Sequence, residues 1–278
     1  MHMDLLSEKL NTLKAEVSRC GRVLIAFSGG VDSAFLLKVA VDTLGADKVL
    51  ACTGVSPSLS AHQHAQAVAL AGLVDVRLIE IPVGEMDDPA YRANKADRCF
   101  HCKSRLFKLL IDIAYQHGIA HILCGANFDD KDDYRPGNRA AQVFGVISPL
   151  MNAAMTKHDI RCLSRQMHLP TADLPASPCL ASRVAYGQEI SGEKLSQIEQ
   201  AEDVLRRLGF VEFRVRHHGD IARIEINLSE LSRITPDAIR CAVVVSLKKL
   251  GFRYVALDLQ GFRSGAMNET LSEDEKMR

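Results

Sequence analysis

The chain has 278 residues, 47% of them hydrophobic, with 34 basic and 34 acidic side chains. That length suits one large or two smaller globular domains, and a formal charge of zero argues against a strongly basic nucleic-acid-binding face. No apolar run approaches the roughly 18 residues that span a bilayer, and residues 1–14 lack the charged-then-apolar order of a signal peptide, so a cytoplasmic protein with no membrane partner is expected.

In chain order, residues 5–18 read as an amphipathic helix. From 22 to 149, strand-like apolar runs (23–27, 49–54, 76–81, 121–125) alternate with stretches of helical period (34–44, 61–70, 105–116). That alternation predicts an α/β domain built on a parallel sheet. Residues 157–167 read as a further helix, stopped by Pro170, and 170–187 as a structured loop rich in Pro, Ser and Ala. After Gly187 the order becomes helix 192–208, strands 213–216 and 221–226 with a hairpin turn at Asp220, helix 236–250 and strand 254–259. This is a small α+β domain, so the expected division is 1–187 and 188–278, with a polar, frayed tail.

The first strand runs directly into Ser28-Gly29-Gly30-Val31-Asp32-Ser33 and then a helix. Glycines let a phosphate approach the backbone, and a helix N-terminus offers unpaired N–H groups to an anion. Ser28 and Ser33 add hydroxyls, while the lysine of a Walker A loop is missing, so the bond cut need not be the outermost one. The bland alternative is a tight turn with an Asp or Ser cap. Asp32 is a candidate Mg²⁺ ligand, and the rule for open α/β sheets puts adenine and ribose near Gly54, Val55, Ser56 and Gly125.

Cys99 and Cys102 form a C-x-x-C pair, and Cys179 stands far along the chain in Pro178-Cys179-Leu180-Ala181-Ser182-Arg183. The pair reads as a metal or cluster grip, a redox dithiol or chance. Haem attachment fails because Lys103, not His, follows Cys102. Zinc would need a fourth ligand. Cys179, beside Arg183, reads as a functional thiol more than as packing, since a guanidinium favours the thiolate. Cys20, Cys52, Cys124, Cys162 and Cys241 read as core residues. Arg214 and Arg216 alternate on one strand face, and Arg263 sits with Ser264 in a glycine-flanked turn. Arginine forks suit carboxylate and phosphate, against the alternative of a solvated strand face for Arg214 and Arg216. Glu225, Asp258 and Asp129 are weaker candidates for metal, substrate or surface pairing.

The loop from Ser28 to Ser33 resembles that of the PP-loop ATP pyrophosphatases, which cleave ATP to AMP and pyrophosphate as a substrate attacks the α-phosphorus. Further blocks narrow the match: 125–130 with Asp133-Tyr134-Arg135-Pro136-Gly137, 176–183 with Tyr186-Gly187, 214–217, and 252–259 with 261–265. Together they resemble the LarE family, ATP-dependent sulfur transferases of nickel-pincer nucleotide biosynthesis, from about Val23 to Gly265. The resemblance implies adenylation of a carboxylate of pyridinium-3,5-dicarboxylate mononucleotide, then displacement of AMP by sulfur. Cys179 matches the family's sulfur-bearing cysteine, which one branch sacrifices to dehydroalanine. Cys99 and Cys102 depart from that branch and imply another, with a [4Fe-4S] cluster on Cys99, Cys102 and Cys179 whose fourth iron carries the sulfide. Arg183, Arg214, Arg216, Arg263 and Ser264 are then candidate substrate ligands. The family also implies a homo-oligomer and transient contact with other nickel-pincer cofactor enzymes. Rival readings are a tRNA thiolase of the PP-loop class, disfavoured by the neutral charge, an amidotransferase-type ligase, and a non-catalytic ATP-binding regulatory module.

Overall fold

A computed structural model describes residues 2–131, 136–263 and 265–272. The sequence readings at Ser264, at Asp133, Tyr134 and Arg135, and on the polar tail beyond 272 lie outside the described residues. In chain order the first elements are α1 (His2–Cys20), β1 (Val23–Ala26), α2 (Val31–Leu44), β2 (Val49–Val55), α3 (Ala61–Leu73), β3 (Arg77–Pro82), α4 (Pro89–Arg92), α5 (Arg98–Gln116) and β4 (His121–Cys124). There follow α6 (Pro136–Val143), α7 (Pro149–Asn152), α8 (Lys157–Gln166), α9 (Gly192–Arg207), β5 (Phe213–His218), β6 (Ile221–Ile226), α10 (Leu231–Ile234), α11 (Asp237–Lys249) and β7 (Tyr254–Leu257). Among the described residues no helix is long and apolar enough to cross a membrane.

The chain forms two units, Met1–Glu85 with Cys99–Ser177, and Met86–Arg98 with Pro178–Arg278. The second unit thus starts at Pro178, where the sequence suggested 188, and takes in a short segment from the middle of the first.

In the first unit all four strands are parallel, in the order β3-β2-β1-β4. β1 is apolar throughout because both its faces are covered. Val23 and Ile25 join one core with Leu13 of α1, Phe35 of α2 and Ile160 of α8, and Leu24 joins another with Phe107 of α5 and Ala140 of α6. Strand order reverses between β1 and β4, so the segments after them flank the crevice at the carboxyl edge. α5 begins at Arg98, not at 105. Its polar opening hides the helical period, yet neither Gly nor Pro interrupts it, so Cys99 and Cys102 lie inside the helix, not ahead of it.

In the second unit β5 and β6 form an antiparallel hairpin turning at Gly219 (φ +62°), and β7 adds parallel to β6. Phe213, Val215, Ala222 and Ile224 face a core shared with Ala201 and Leu205 of α9 and Val243 and Leu247 of α11. Strand alternation therefore sends Arg214, Arg216 and His218 to the opposite face. β5 is an edge strand, and Val184 bridges to it at His217.

His217 is held to Gln197 Oε1 at 3.0 Å and packs on Phe252. Burial pushes its pKa down, helped by Lys194. Burial, then Arg223 and Arg216, does the same at His218. Both imidazoles bind protons better in the unfolded chain, so their stabilisation is complete above about pH 6.5 and is lost as the pH falls. We expect the unfolding midpoint to drop between pH 7.5 and 5.5, and to drop less in the His217→Asn/His218→Asn double variant. Identical pH slopes for the two proteins in thermal melts would count against this assignment.

Candidate functional site

The chain leaves β1 through Phe27, whose amide donates to Cys52 O at 2.8 Å, and turns at Gly29. Gly29 has φ +72°, and a Cβ there would come within 2.8 Å of Ala67 on α3, so glycine is required. Gly30 is the N-cap of α2, and no side chain among the described residues caps that turn. Its amides are left to the crevice, as an anion site needs. Ser33 Oγ accepts from Ser28 N (3.3 Å), donates to Gly30 O (3.1 Å) and lies 3.1 Å from Ser28 Oγ. The two hydroxyls brace the loop, with Ser33 buried and Ser28 exposed.

Val55 ends β2, and Ser56 opens a tight turn in which its Oγ accepts from Ser58 N at 3.2 Å. Both lie at the carboxyl edge of the sheet. Gly125 sits across from them after β4. A Cβ on it would meet Ser33 N at 2.9 Å, so its glycine lets β4 press against the first turn of α2.

Asp32, in that first turn, takes both contacts from one ammonium: Lys157 Nζ lies 2.8 and 2.7 Å from its carboxylate oxygens. The backbone N–H of Lys157 in turn donates to Asp129 Oδ2 at 2.8 Å. Lys157 opens α8, 125 positions from Asp32. No local pattern marks it, which is why the sequence reading passed it over. The pair is partly exposed, so an arriving phosphate or cation can compete for either partner. Mg²⁺ favours a carboxylate plus phosphate oxygens, and Asp32 offers the carboxylate at the mouth of the loop.

In the second unit, Cys179 is the N-cap of a single 3-10 turn (Leu180–Arg183) and is partly exposed. Arg183 is 2% exposed and doubly bonded to Glu202, Nε to Oε1 at 2.9 Å and Nη2 to Oε2 at 3.2 Å. Its Nη1 donates to Pro178 O (2.6 Å), Cys179 O (3.2 Å) and Ser182 Oγ (2.9 Å). Glu202 Oε1 also accepts from Val215 N at 3.1 Å, tying this loop to the free edge of β5. Arg216 donates to Ser182 O (3.0 Å) and Glu225 (2.8 Å), and Arg223 links Glu225 to Asp258.

Arg214 stacks on Phe262 with 4.8 Å to the ring centre. Burial, then the charges of Arg183 and Arg216, push its pKa down to about 10. The solvated-face reading is thereby corrected: Arg214 and Arg216 are both buried, because the cysteine loop and Phe262 cover them. Arg263 is paired with Glu269.

Cys99 and Cys102 stand three residues apart, one turn along α5, each partly exposed. In neither unit, among the described residues, do three His, Cys, Asp or Glu side chains gather into a group able to hold a metal. Of the thiols read as core, Cys52 and Cys124 are buried, and burial pushes Cys52 up to about 12. Cys20 and Cys162 pack only partly against the first core. Cys241 corrects the reading. It is exposed, since α11 presents only Val243, Leu247 and their neighbours inward.

Comparison with known proteins agrees with this arrangement. A family model described as NAD synthase matches residues 5–109. An uncharacterized protein of Synechocystis sp. is 40% identical over 269 residues, 97% of this chain and 100% of that protein. The pyridinium-3,5-bisthiocarboxylic acid mononucleotide synthase of Lactiplantibacillus plantarum is 37% identical over 271 residues, 98% of each. An uncharacterized protein of Methanocaldococcus jannaschii is 29% identical over 254 residues, 91% of this chain and 95% of that protein.

An anion seated on the first turn of α2 finds the Lys157 ammonium one side chain away. We expect Lys157→Met to weaken ATP binding about tenfold or more, the loss of one charge-assisted contact of ~1.5–3 kcal/mol, with little change in unfolding midpoint. Calorimetric titration with ATP checks this. Unchanged affinity would remove Lys157 from the nucleotide site.

Proposed function

The chain belongs to the family of pyridinium-3,5-bisthiocarboxylic acid mononucleotide synthase, and on that premise we propose that it is an ATP-dependent sulfur transferase acting on pyridinium-3,5-dicarboxylate mononucleotide. A carboxylate oxygen of that nucleotide attacks the α-phosphorus of ATP and pyrophosphate leaves. A sulfur nucleophile then attacks the acyl carbon, and AMP departs with the carboxylate oxygen. The first step is needed because a free carboxylate is anionic and resists nucleophiles, whereas the acyl-adenylate carries a good leaving group.

The observation that carries this reading is the loop of Cys179, a partly exposed thiol whose own carbonyl and its neighbours are gripped by buried guanidiniums. Ser28, Gly29, Gly30 and Ser33 hold the pyrophosphate portion of ATP, with Val55, Ser56 and Gly125 beside the nucleoside and Asp32 on Mg²⁺. Arg183 and Arg216 are engaged by Glu202 and Glu225, so they fix the loop and lend positive potential. Arg214, whose charge its own surroundings disfavour, is relieved by an anionic substrate and is the foremost substrate ligand. Arg263 and Ser264 extend the same role.

Cys99, Cys102 and Cys179 are free cysteines, each partly exposed, and three thiolates are the donor chemistry of an iron–sulfur cluster. A [4Fe-4S] cluster on them would supply a sulfide on its open fourth iron as the transferable sulfur. In the second reading Cys179 yields its own sulfur and becomes dehydroalanine. The enzyme acts as a homo-oligomer in the cytoplasm and passes its product to other nickel-pincer cofactor enzymes.

We expect pyrophosphate release to require the dicarboxylate nucleotide, and Cys179→Ala to keep that release while losing thiocarboxylate. ATP binding without substrate-dependent pyrophosphate would leave only a regulatory module. Anaerobic purification with iron and sulfide counts separates the two sulfur sources: colourless protein that loses one sulfur from Cys179 on turnover selects sacrifice. Arg214→Gln should raise the KM for the nucleotide about tenfold or more, the scale of a lost charged hydrogen bond, leaving the KM for ATP in place. Equal changes in both KM values would argue for a structural role.

A further inference from the structure

The segment Met86–Arg98 belongs to the second unit, and two of its side chains, Asn94 and Arg98, bond to the loop that follows Cys179. Asn94 is fully buried and has φ +51°, an uncommon backbone state for any residue but glycine. Its Nδ2 faces three carbonyls, Val184 (3.2 Å), Ala185 (2.8 Å) and Gln188 (3.0 Å), and its own carbonyl accepts from Gly187 N at 3.1 Å. Arg98, 4% exposed, donates from Nη1 to Asn94 Oδ1 and to Ala181 O (2.8 Å), and its guanidinium lies 5.0 Å from the centre of the Tyr186 ring. The guanidinium has only donors, so Asn94 must turn its oxygen to Arg98 and its amide hydrogens to the loop. Each side chain thus fixes the other's orientation.

The segment so held, 181–188, continues directly from Cys179. Arg183 and Arg216 hold the Cys179 end of this loop, and Asn94 with Arg98 hold the remainder. Arg98 is also the first residue of α5, immediately before Cys99.

We propose that Asn94 and Arg98 are positioning residues for the Cys179 thiol in sulfur transfer, a claim that rests on Cys179 being the reactive cysteine. The clamp sets where the loop leaves Cys179 and so the angle at which its sulfur, or a sulfur it holds, meets the acyl carbon. Such control acts on the second half-reaction. It leaves adenylation untouched, because no part of the clamp belongs to the Ser28–Ser33 loop.

The test uses the full-length chain with Asn94→Asp, which keeps the oxygen facing Arg98 and removes the amide donors, together with Arg98→Met and Arg98→Lys. Four quantities are read: substrate-dependent pyrophosphate release, kcat and KM for thiocarboxylate formation, the alkylation rate of Cys179 by iodoacetamide from peptide masses, and the unfolding midpoint. We expect kcat for sulfur transfer to fall about tenfold or more in Asn94→Asp and Arg98→Met, as small misplacements of a reacting group do. KM values and pyrophosphate release should stay within about twofold, below the scale of one lost contact, the Cys179 alkylation rate should shift, and that of exposed Cys241 should not. Arg98→Lys, which keeps the charge and one donor, should recover part of kcat.

Unchanged sulfur transfer and unchanged Cys179 alkylation overturn the proposal. So does a parallel fall of pyrophosphate release and transfer, which would mean that the clamp only maintains the fold. If Arg98→Met does not fold, Asn94→Asp and Arg98→Lys decide by the same criteria. Failure of the underlying reading looks different: Cys179→Ala would then retain thiocarboxylate formation.

Discussion

A loop without a strand ladder or helix of useful length must satisfy its backbone through side chains, because buried carbonyls left unpaired are costly. The stretch from Pro178 to Gln188 meets that constraint with four side chains. Arg183 takes the carbonyls of Pro178 and Cys179, Arg98 that of Ala181, Arg216 that of Ser182, and Asn94 those of Val184, Ala185 and Gln188. Three of the four are guanidiniums in near-complete burial. Glu202 and Glu225, each less than a tenth exposed, pair with Arg183 and Arg216, while Arg98 donates to Asn94 Oδ1. The architecture of the second unit follows from this dependence. α9 must place Glu202 beside the edge of β5, and β6 must place Glu225 opposite Arg214 in register.

Buried ion pairs of this kind contribute little net stability, since desolvation offsets most of the attraction, yet deleting one partner costs about 3–5 kcal/mol. Their value is geometric. A loop held by forked donors has few alternative positions, and so has the Cys179 thiol carried on it. Burial, more than the charges of Arg183 and Arg216, is what lowers the pKa of Arg214 in the same region.

The first unit solves a different problem with less material. In an all-parallel sheet with both faces covered, the carboxyl edge is where a ligand can reach the strand ends, and the reversal of strand order opens a crevice there. Gly29 is required by contact with Ala67 and Gly125 by contact with the first turn of α2, so the phosphate loop is shaped from both sides by neighbouring elements. Lys157 brings a cation to Asp32 and joins it to Asp129, balancing the charge of the loop before any nucleotide arrives.

The sequence by itself determined the elements whose signals are local. Alternating apolar runs and helical periods showed the parallel sheet and a hairpin turning at Asp220, next to the Gly219 where the structure turns, and Ser28 to Ser33 showed a phosphate loop, because these signals lie within a few residues. It also marked Cys179 and the arginines by residue type. Where those side chains lie, and what they touch, depended on packing. Arg214 and Arg216 could be solvent-facing or buried on the same strand alternation, and only the cover provided by the cysteine loop settled the matter. Lys157 pairs with a residue 125 positions away, and Asn94 with carbonyls about 90 positions away. The start of α5 at Arg98 was hidden by its polar first turns. Contacts between residues so far apart leave no period or spacing in the chain, because they are created by the packing that brings the segments together.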